Sequence, residues 1–293
     1  MRGARSAGRR GRGGFSMIEM LISLSVFSMV LVGLHRLALS SERSQEIGSR
    51  ITHVNQDLRA ALEIISRDLR MAGSGFAGIP VQTANGSARE VIFPITPGYT
   101  FSDDTDSVSV LAGFGDATTV LAEEMAAPSS DIDCLSLDGF AAGDLLVITD
   151  GVFADMFEIT GLVPQGGGSG GKLLHDLSRP KNDPGGHSQW PAGGYPAGSR
   201  AAKVNRITLQ AVDEQGALRL FRRVDGGTPI PIINDLRTIT FTYRLPDGTE
   251  TRNPPSPRDI QEVIFNIEAG LRSGWGLEDR SVVTSTSVRP RSV

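Results

Sequence analysis

One carboxylate in this 293-residue sequence stands apart from every other side chain that could do chemistry. Glu19 is the sole ionisable residue in an apolar run over residues 15–34. A charged side chain at the middle of a bilayer costs roughly 2.5–3.5 kcal/mol, and near the end of such a run less, so Glu19 calls for a partner charge. The other candidates fail on spacing. His35, His53, His175 and His187 are scattered, with no pair at metal-ligand spacing. Asp103, Asp104 and Asp106 offer oxygens to calcium, but the string lacks the glycine and distal glutamate of an EF-hand loop and reads as a solvated turn before a strand at Ser107. The string from Gly166 to Gly171-Lys172 imitates a phosphate loop, yet Leu173 stands where a magnesium-binding hydroxyl belongs. Cys134 is the only cysteine, which rules out an internal disulfide, and no nucleophile-elbow motif occurs. No catalytic, cofactor-binding or metal-ligating residue is assigned, no cofactor is expected, and the chain reads as not an enzyme.

The element that must position Glu19 is the apolar run itself. Arg2, Arg5, Arg9, Arg10 and Arg12 precede it without any acidic residue among the first fourteen positions, and Gly13-Gly14 lead into it. Twenty residues at about 1.5 Å each span the roughly 30 Å hydrocarbon core of a bilayer. The arginine excess before the run orients the N-terminus to the cytoplasm and the bulk of the chain to the other side. Two plainer readings compete. A cleaved secretory signal needs an A-x-A-like site after the apolar stretch, and HRLALSS at 35–41 is a poor one. An anchor that is never processed is the other. For Glu19 alone, the plain reading is a carboxylate favoured by the positive end of the helix dipole.

The string GFSMIE at 14–19, followed by the apolar run, resembles the prepilin-type signal of type IV pilins and type II secretion pseudopilins. That resemblance implies cleavage by prepilin peptidase between Gly14 and Phe15 and N-methylation of Phe15. It also implies a role for Glu19, the fifth residue of the mature chain, in subunit assembly by pairing with a neighbouring subunit's amine. Arg36 stands where many major pilins have a proline. RDLRMAG at 67–73 is similar to the end of the N-terminal helix in PilW-like minor pilins. GDLLVI at 143–148, the Leu-x-x-Arg strand at 220–223 and SVRP at 287–290 are diffusely similar to PilW-like and J-type pseudopilin domains.

Beyond the run the helical period continues. Ile47, Ile51, Val54, Leu58, Leu62, Ile65, Leu69 and Ala72 recur in steps of three and four, with Glu46, Arg50, Gln56, Asp57, Glu63, Arg67 and Arg70 on the opposite face. No proline occurs before Pro80, and Gly73, Ser74 and Gly75 form a stop. The spacing predicts one helix over about residues 15–72, on the order of 85 Å long. Its stripe fits a sheet or, alternatively, a dimeric coiled coil. From residue 79 the period becomes two, predicting strands at 90–95, 107–111, 118–121, 133–137, 145–149 and 156–163. Further strands are predicted at 203–212, 217–224, 236–245, 260–268 and 281–288, with Ile239, Phe241 and Tyr243 on one face. Residues 164–199 hold ten glycines and five prolines and read as a surface loop.

The expected fold class is therefore α+β and pilin-like: a long N-terminal helix packed against an antiparallel β domain. The expected segments are a cleaved leader (1–14), a transmembrane and assembly half-helix (15–39), an amphipathic half-helix (40–72) and a β-rich domain (73–293) with the loop 164–199. The formal charge is −4, but loss of the five leader arginines leaves 24 basic residues against 33 acidic ones. That balance argues against nucleic acid as a partner. The resemblance implies a PilW-like minor pilin, single-pass in the inner membrane and then in the pilus. Its implied partners are prepilin peptidase, other pilins or pseudopilins, and the inner-membrane assembly platform. The alternatives are a J-type pseudopilin of type II secretion or a membrane-anchored periplasmic protein serving binding, adhesion or catalysis.

Overall fold

A computed structural model of the chain describes residues 16–99, 106–113, 117–214, 217–271 and 280–290. By its internal contacts the chain divides into two units, Met1–His53 and Val54–Val293. One α-helix, α1 (Met17–Arg70), supplies the described part of the first unit and the opening of the second.

Helix α1 ends where its sequence stops favouring it. Arg67 and Arg70 occupy the last turn, where cations meet the negative end of the dipole. Gly73 then adopts φ 75°, a left-handed conformation that terminates a helix. The freed amide of Gly73 donates to the carbonyl of Leu111 at 2.9 Å, so the helix end is tied into the neighbouring strand.

The second unit is built on strands. β1 (Val81–Asn85) and β2 (Ala88–Ile92) form a hairpin, followed by β3 (Ile95–Tyr99), β4 (Asp106–Ala112), β5 (Thr118–Val120) and β6 (Ile132–Cys134). β7 (Leu145–Thr149) and β8 (Ala154–Glu158) form a second hairpin, and β9 (Gly161–Pro164) and β10 (Gly171–Leu174) a third. The fifteen-residue β11 (Arg200–Glu214) pairs with β12 (Ala217–Val224). Then come β13 (Ile230–Arg244), β14 (Glu250–Thr251), β15 (Glu262–Leu271) and β16 (Arg280–Val288).

Among the described residues thirteen strands join one sheet, whose main path runs β16-β15-β13-β12-β11-β7-β8-β1-β2. All its pairs are antiparallel except β1 with β8, which run parallel through Gln82 and Asp155. β11 joins the two halves: its first residues pair with β5 and β7, its later ones with β4 and β12. Strands β6, β10 and β9 form a separate small sheet.

The core lies in three clusters. In the first, Leu58, Ala61, Ile65, Leu69 and Ala72 of the helix stripe and the turn after it pack among sheet residues including Val108, Leu209, Phe241 and Phe265. Ile239, Phe241 and Tyr243 all point into it, as their alternation predicts, while Asp57, Glu63 and Arg67 stay exposed. β7 divides its side chains by period two between the other clusters: Leu146 and Ile148 enter one, Leu145 and Val147 the other. On α1 the helical period places Asp68, three residues after Ile65 and four before Ala72, on the buried side too. Its carboxylate accepts from Arg222 Nε at 2.6 Å, an ion pair binding helix to β12.

The segment 164–199 differs from the surface loop its composition suggests. It contains β10, and Asn182, His187 and Tyr195 within it are buried. Gly194, at φ 74°, makes this possible: a side chain there would collide with the carbonyl of Met125, to which Tyr195 donates its amide at 3.0 Å.

Candidate functional site

The first unit presents an apolar helix with a carboxylate at its start. The amide of Met20 donates to the carbonyl of Ser16 at 3.1 Å, and Glu19 lies in the first turn, exposed. There the carboxylate is favoured by the helix dipole. Gly14 and Phe15 lie outside the described residues. In the turns that follow Glu19 every face of the helix is exposed: Met20, Leu21, Ile22 and Leu24, which point in different directions, are each at least 60% exposed. An 18-residue stretch reaches a mean hydropathy of 2.2 with none of it buried, long and apolar enough to cross a membrane. Two of its hydroxyls are satisfied internally, Ser25 and Ser28 donating to the carbonyls of Leu21 and Leu24 at 2.8 Å. That arrangement suits surroundings without water, where an unpaired polar group is costly.

Of the remaining candidates, His35 and His53 are exposed on α1, and Cys134, Lys172, His175 and His187 of the second unit are paired or buried. Lys172 lies on β10 within an antiparallel sheet, with no helix following, and its ammonium meets Asp131 at 2.6 Å and Asp133 at 3.6 Å. Their hydrogen bond draws the Asp131 carboxyl below its ordinary value and raises Lys172. Burial, and then the charge of Asp133, push the Cys134 thiol up to about 12, which leaves it protonated at neutral pH. Burial lowers His175, whose Nε2 is 2.9 Å from the carbonyl of Pro128. Asp103 and Asp104 lie outside the described residues. Among the described residues no three His, Cys, Asp or Glu side chains gather as a metal site would require.

One constellation escapes sequence reasoning. Asp155 of β8 accepts from His187 Nδ1 at 2.7 Å and from the Tyr195 hydroxyl at 2.7 Å, and all three residues are wholly or almost wholly buried. His187 stacks on Phe157 with ring centroids 4.5 Å apart, and its Nε2 faces the carbonyl of Lys181 at 3.3 Å. Burial, then Asp155, raise the Tyr195 hydroxyl. Asn182 completes the anchor, accepting from the amide of Glu158 and donating to its carbonyl. An Asp–His pair can relay protons, but here both outer ends are occupied by protein and enclosed. What the arrangement does is pin the glycine- and proline-rich segment to β8. Its one sequence signal is an acidic residue at an inward position of a short apolar strand.

The comparisons add one positive finding. The family described as prokaryotic N-terminal methylation motif matches residues 9–34, which include Gly14, Phe15 and Glu19. No curated protein matches the chain.

Proposed function

We propose, from the premise that this chain carries the prepilin-type signal of type IV pilins and pseudopilins, that it is a PilW-like minor pilin. The signal itself implies processing by prepilin peptidase and assembly with other pilins. In this reading the precursor inserts once in the inner membrane, with its β domain in the periplasm. Cleavage removes residues 1–14, Phe15 is methylated, and the assembly platform lifts the subunit into a type IV pilus. Its role is structural. The observation that carries the proposal is the methylation motif running in register into a helix whose apolar side chains are exposed on every side.

Glu19 is the residue on which assembly turns. Cleavage leaves a positive amine on Phe15, four residues before Glu19 in sequence. Opposite charges attract strongly in a low-dielectric medium, and either left unpaired there is expensive. Docking at one axial offset satisfies the amine of one subunit with the carboxylate of the next. A wrong offset leaves both unpaired, so the pair sets register.

Two measurements test this. Intact mass of the membrane fraction should give a chain beginning at methyl-Phe15, and a terminus near Ser40 would establish a secretory signal instead. Glu19→Gln should leave cleavage and folding unchanged but remove the subunit from sheared surface pili. Normal incorporation of that variant would overturn the register mechanism. Recovery of the wild-type chain only with a secretion complex would assign it to the J-type pseudopilins.

A further inference from the structure

A cleft of about 470 Å³ opens in the second unit on one face of the β1–β2 hairpin. Arg89, Val91 and Phe93 alternate along its length, and Gln82, paired with Val91 across the hairpin, lies beside them. One wall is the β7–β8 turn and the other a 3-10 turn over Pro257–Asp259. The cleft has the size of a ligand site rather than a packing defect.

Three features set it apart. First, its charges are of one sign. Arg89 and Arg258 line it with no acidic residue among the described lining residues, although the sequence holds 33 acidic residues against 29 basic ones. Of the acidic residues adjacent in sequence to the lining, Glu90 faces Arg206 at 4.0 Å and Asp155 serves His187 and Tyr195, while Asp259, next to Arg258, is not among the lining residues. Second, apolar side chains are held out at its edge by a rigid turn. Val152 is 71% exposed, and Asp150 Oδ1 accepts from the amides of Val152 and Phe153, both at 2.8 Å. Thr149 closes the same turn by donating its hydroxyl to the carbonyl of Phe153 at 2.7 Å. Third, the cations are positioned at opposite ends. Arg89 donates to Gln189 Oε1 at 2.8 Å, and the Arg258 guanidinium lies over the Phe93 ring at 5.9 Å. Arg89 and Phe93 are four residues apart on extended chain, roughly 13 Å.

We propose that this cleft docks an extended peptide segment of another protein, in which two acidic side chains four residues apart flank an apolar one. Extended chain repeats with the same rise as the strand beneath it, so such a segment places one carboxylate at Arg89 and the other at Arg258. The residue midway faces Val91, between Val152 and Phe153 on one side and Pro257 on the other. A guanidinium binds a carboxylate through paired, charge-assisted hydrogen bonds, which gives the site its selectivity. A small dicarboxylate is too short to reach both arginines. This inference rests on the second unit alone and stands whether or not the pilin reading does.

The test uses the full chain in detergent and a fluorescein-labelled Glu-Thr-Val-Thr-Glu peptide, read by anisotropy. Saturable binding is expected, weakened about tenfold by Arg89→Gln and by Arg258→Gln, the usual loss for one charge-assisted pair. The neutral Gln-Thr-Val-Thr-Gln peptide should bind at least as poorly as the acidic peptide binds the single variants. Should a protein variant lose its wild-type melting temperature, the singly charged Gln-Thr-Val-Thr-Glu peptide measures the same loss on the intact chain. Absence of saturable binding overturns the proposal, as does equal binding of the neutral peptide. Displacement by succinate as effective as by unlabelled peptide assigns the cleft to small anions and equally overturns it.

Discussion

Aliphatic side chains meet opposite fates along α1. Leu24 and Val26 are 64% and 58% exposed, whereas Leu58 is 2% exposed and Ile65 and Leu69 are fully buried. Residue type does not distinguish them; the width of the apolar face does. Around Leu24 the apolar residues occupy the whole circumference, and among the described residues they are exposed. From Val54 onward they narrow to a stripe, and one sheet suffices. An all-round apolar helix needs surroundings supplied from outside, lipid or other helices, while a striped helix completes its own fold.

The sharpest way to break this comparison is to attack the striped half where it carries charge. Arg222→Ala leaves the Asp68 carboxylate buried, with only Arg67 among the described residues, at 3.5 Å and mostly exposed, to face it. Breaking a buried pair from one side costs about 3–5 kcal/mol, and each kcal/mol lowers the melting temperature of a domain this size by about 2–4 °C. Thermal unfolding of the full chain in detergent should show the drop. An unchanged midpoint would mean that the pair does not hold helix to sheet.

Next in size are the stripe leucines. Leu58→Ala and Leu69→Ala remove fully packed side chains and should cost about 2–5 kcal/mol each. Leu62→Ala, only partly buried, should cost less, and Asp57→Ala on the exposed face almost nothing. Equal responses on both faces would mean that the stripe is not the surface that docks on the sheet.

How far these features were legible in sequence depends on the range of the interaction that creates them. The N-terminal signal, the helix stripe and the alternation of Ile239, Phe241 and Tyr243 are local patterns, and local periodicity exposes them. β1 was missed because VQTAN is a poor apolar strand. Thr83 is buried there because a distant group satisfies it, its hydroxyl donating to the carbonyl of Met156 at 3.3 Å, while Gln82 is buried with its Oε1 unpartnered among the described residues. The segment 164–199 misled for the same reason. Glycine and proline describe its backbone, while its burial is decided by Asp155, 32 residues before His187 and 40 before Tyr195. At the candidate site, Glu19 was legible because an isolated carboxylate in an apolar run is anomalous without reference to any other element. The cleft with Arg89 and Arg258 was not, because its walls come from stretches far apart in sequence.

A smaller effect sharpens what burial means in the second unit. Folding raises the Cys134 thiol from 9.0 to about 12, so the unfolded chain releases this proton first as pH rises. The associated stability is full below about pH 9 and is lost progressively as pH climbs toward 12. Cys134→Ala should flatten that alkaline decline relative to wild type, measured by denaturant midpoints from pH 8 to 11. Tyr195, also raised on folding, leaves a residual slope in the variant. At neutral pH, iodoacetamide should label Cys134 only after unfolding; rapid labelling of the native chain would place the thiol at the surface.

The smallest expected effect is the most direct test of the comparison. Leu24→Ala removes the same atoms as Leu58→Ala from the same helix, but from a side chain that is 64% exposed rather than packed. Its effect on unfolding of the sheet unit should stay within about 0.5 kcal/mol. Near-ultraviolet circular dichroism in detergent follows that transition, because the clustered aromatics Phe157, Trp190 and Tyr195 all belong to the sheet unit. A midpoint lowered as far as by Leu58→Ala would place Leu24 in the same cooperative core and abolish the distinction between the halves. Leu24→Arg completes the contrast. Folding of the sheet should again be unaffected, while a charge at this depth costs membrane insertion about 2.5–3.5 kcal/mol. The variant should therefore shift from the membrane pellet to the soluble or degraded fraction with its β domain intact. The first half of the helix would then be defined by what surrounds it and the second by what it touches.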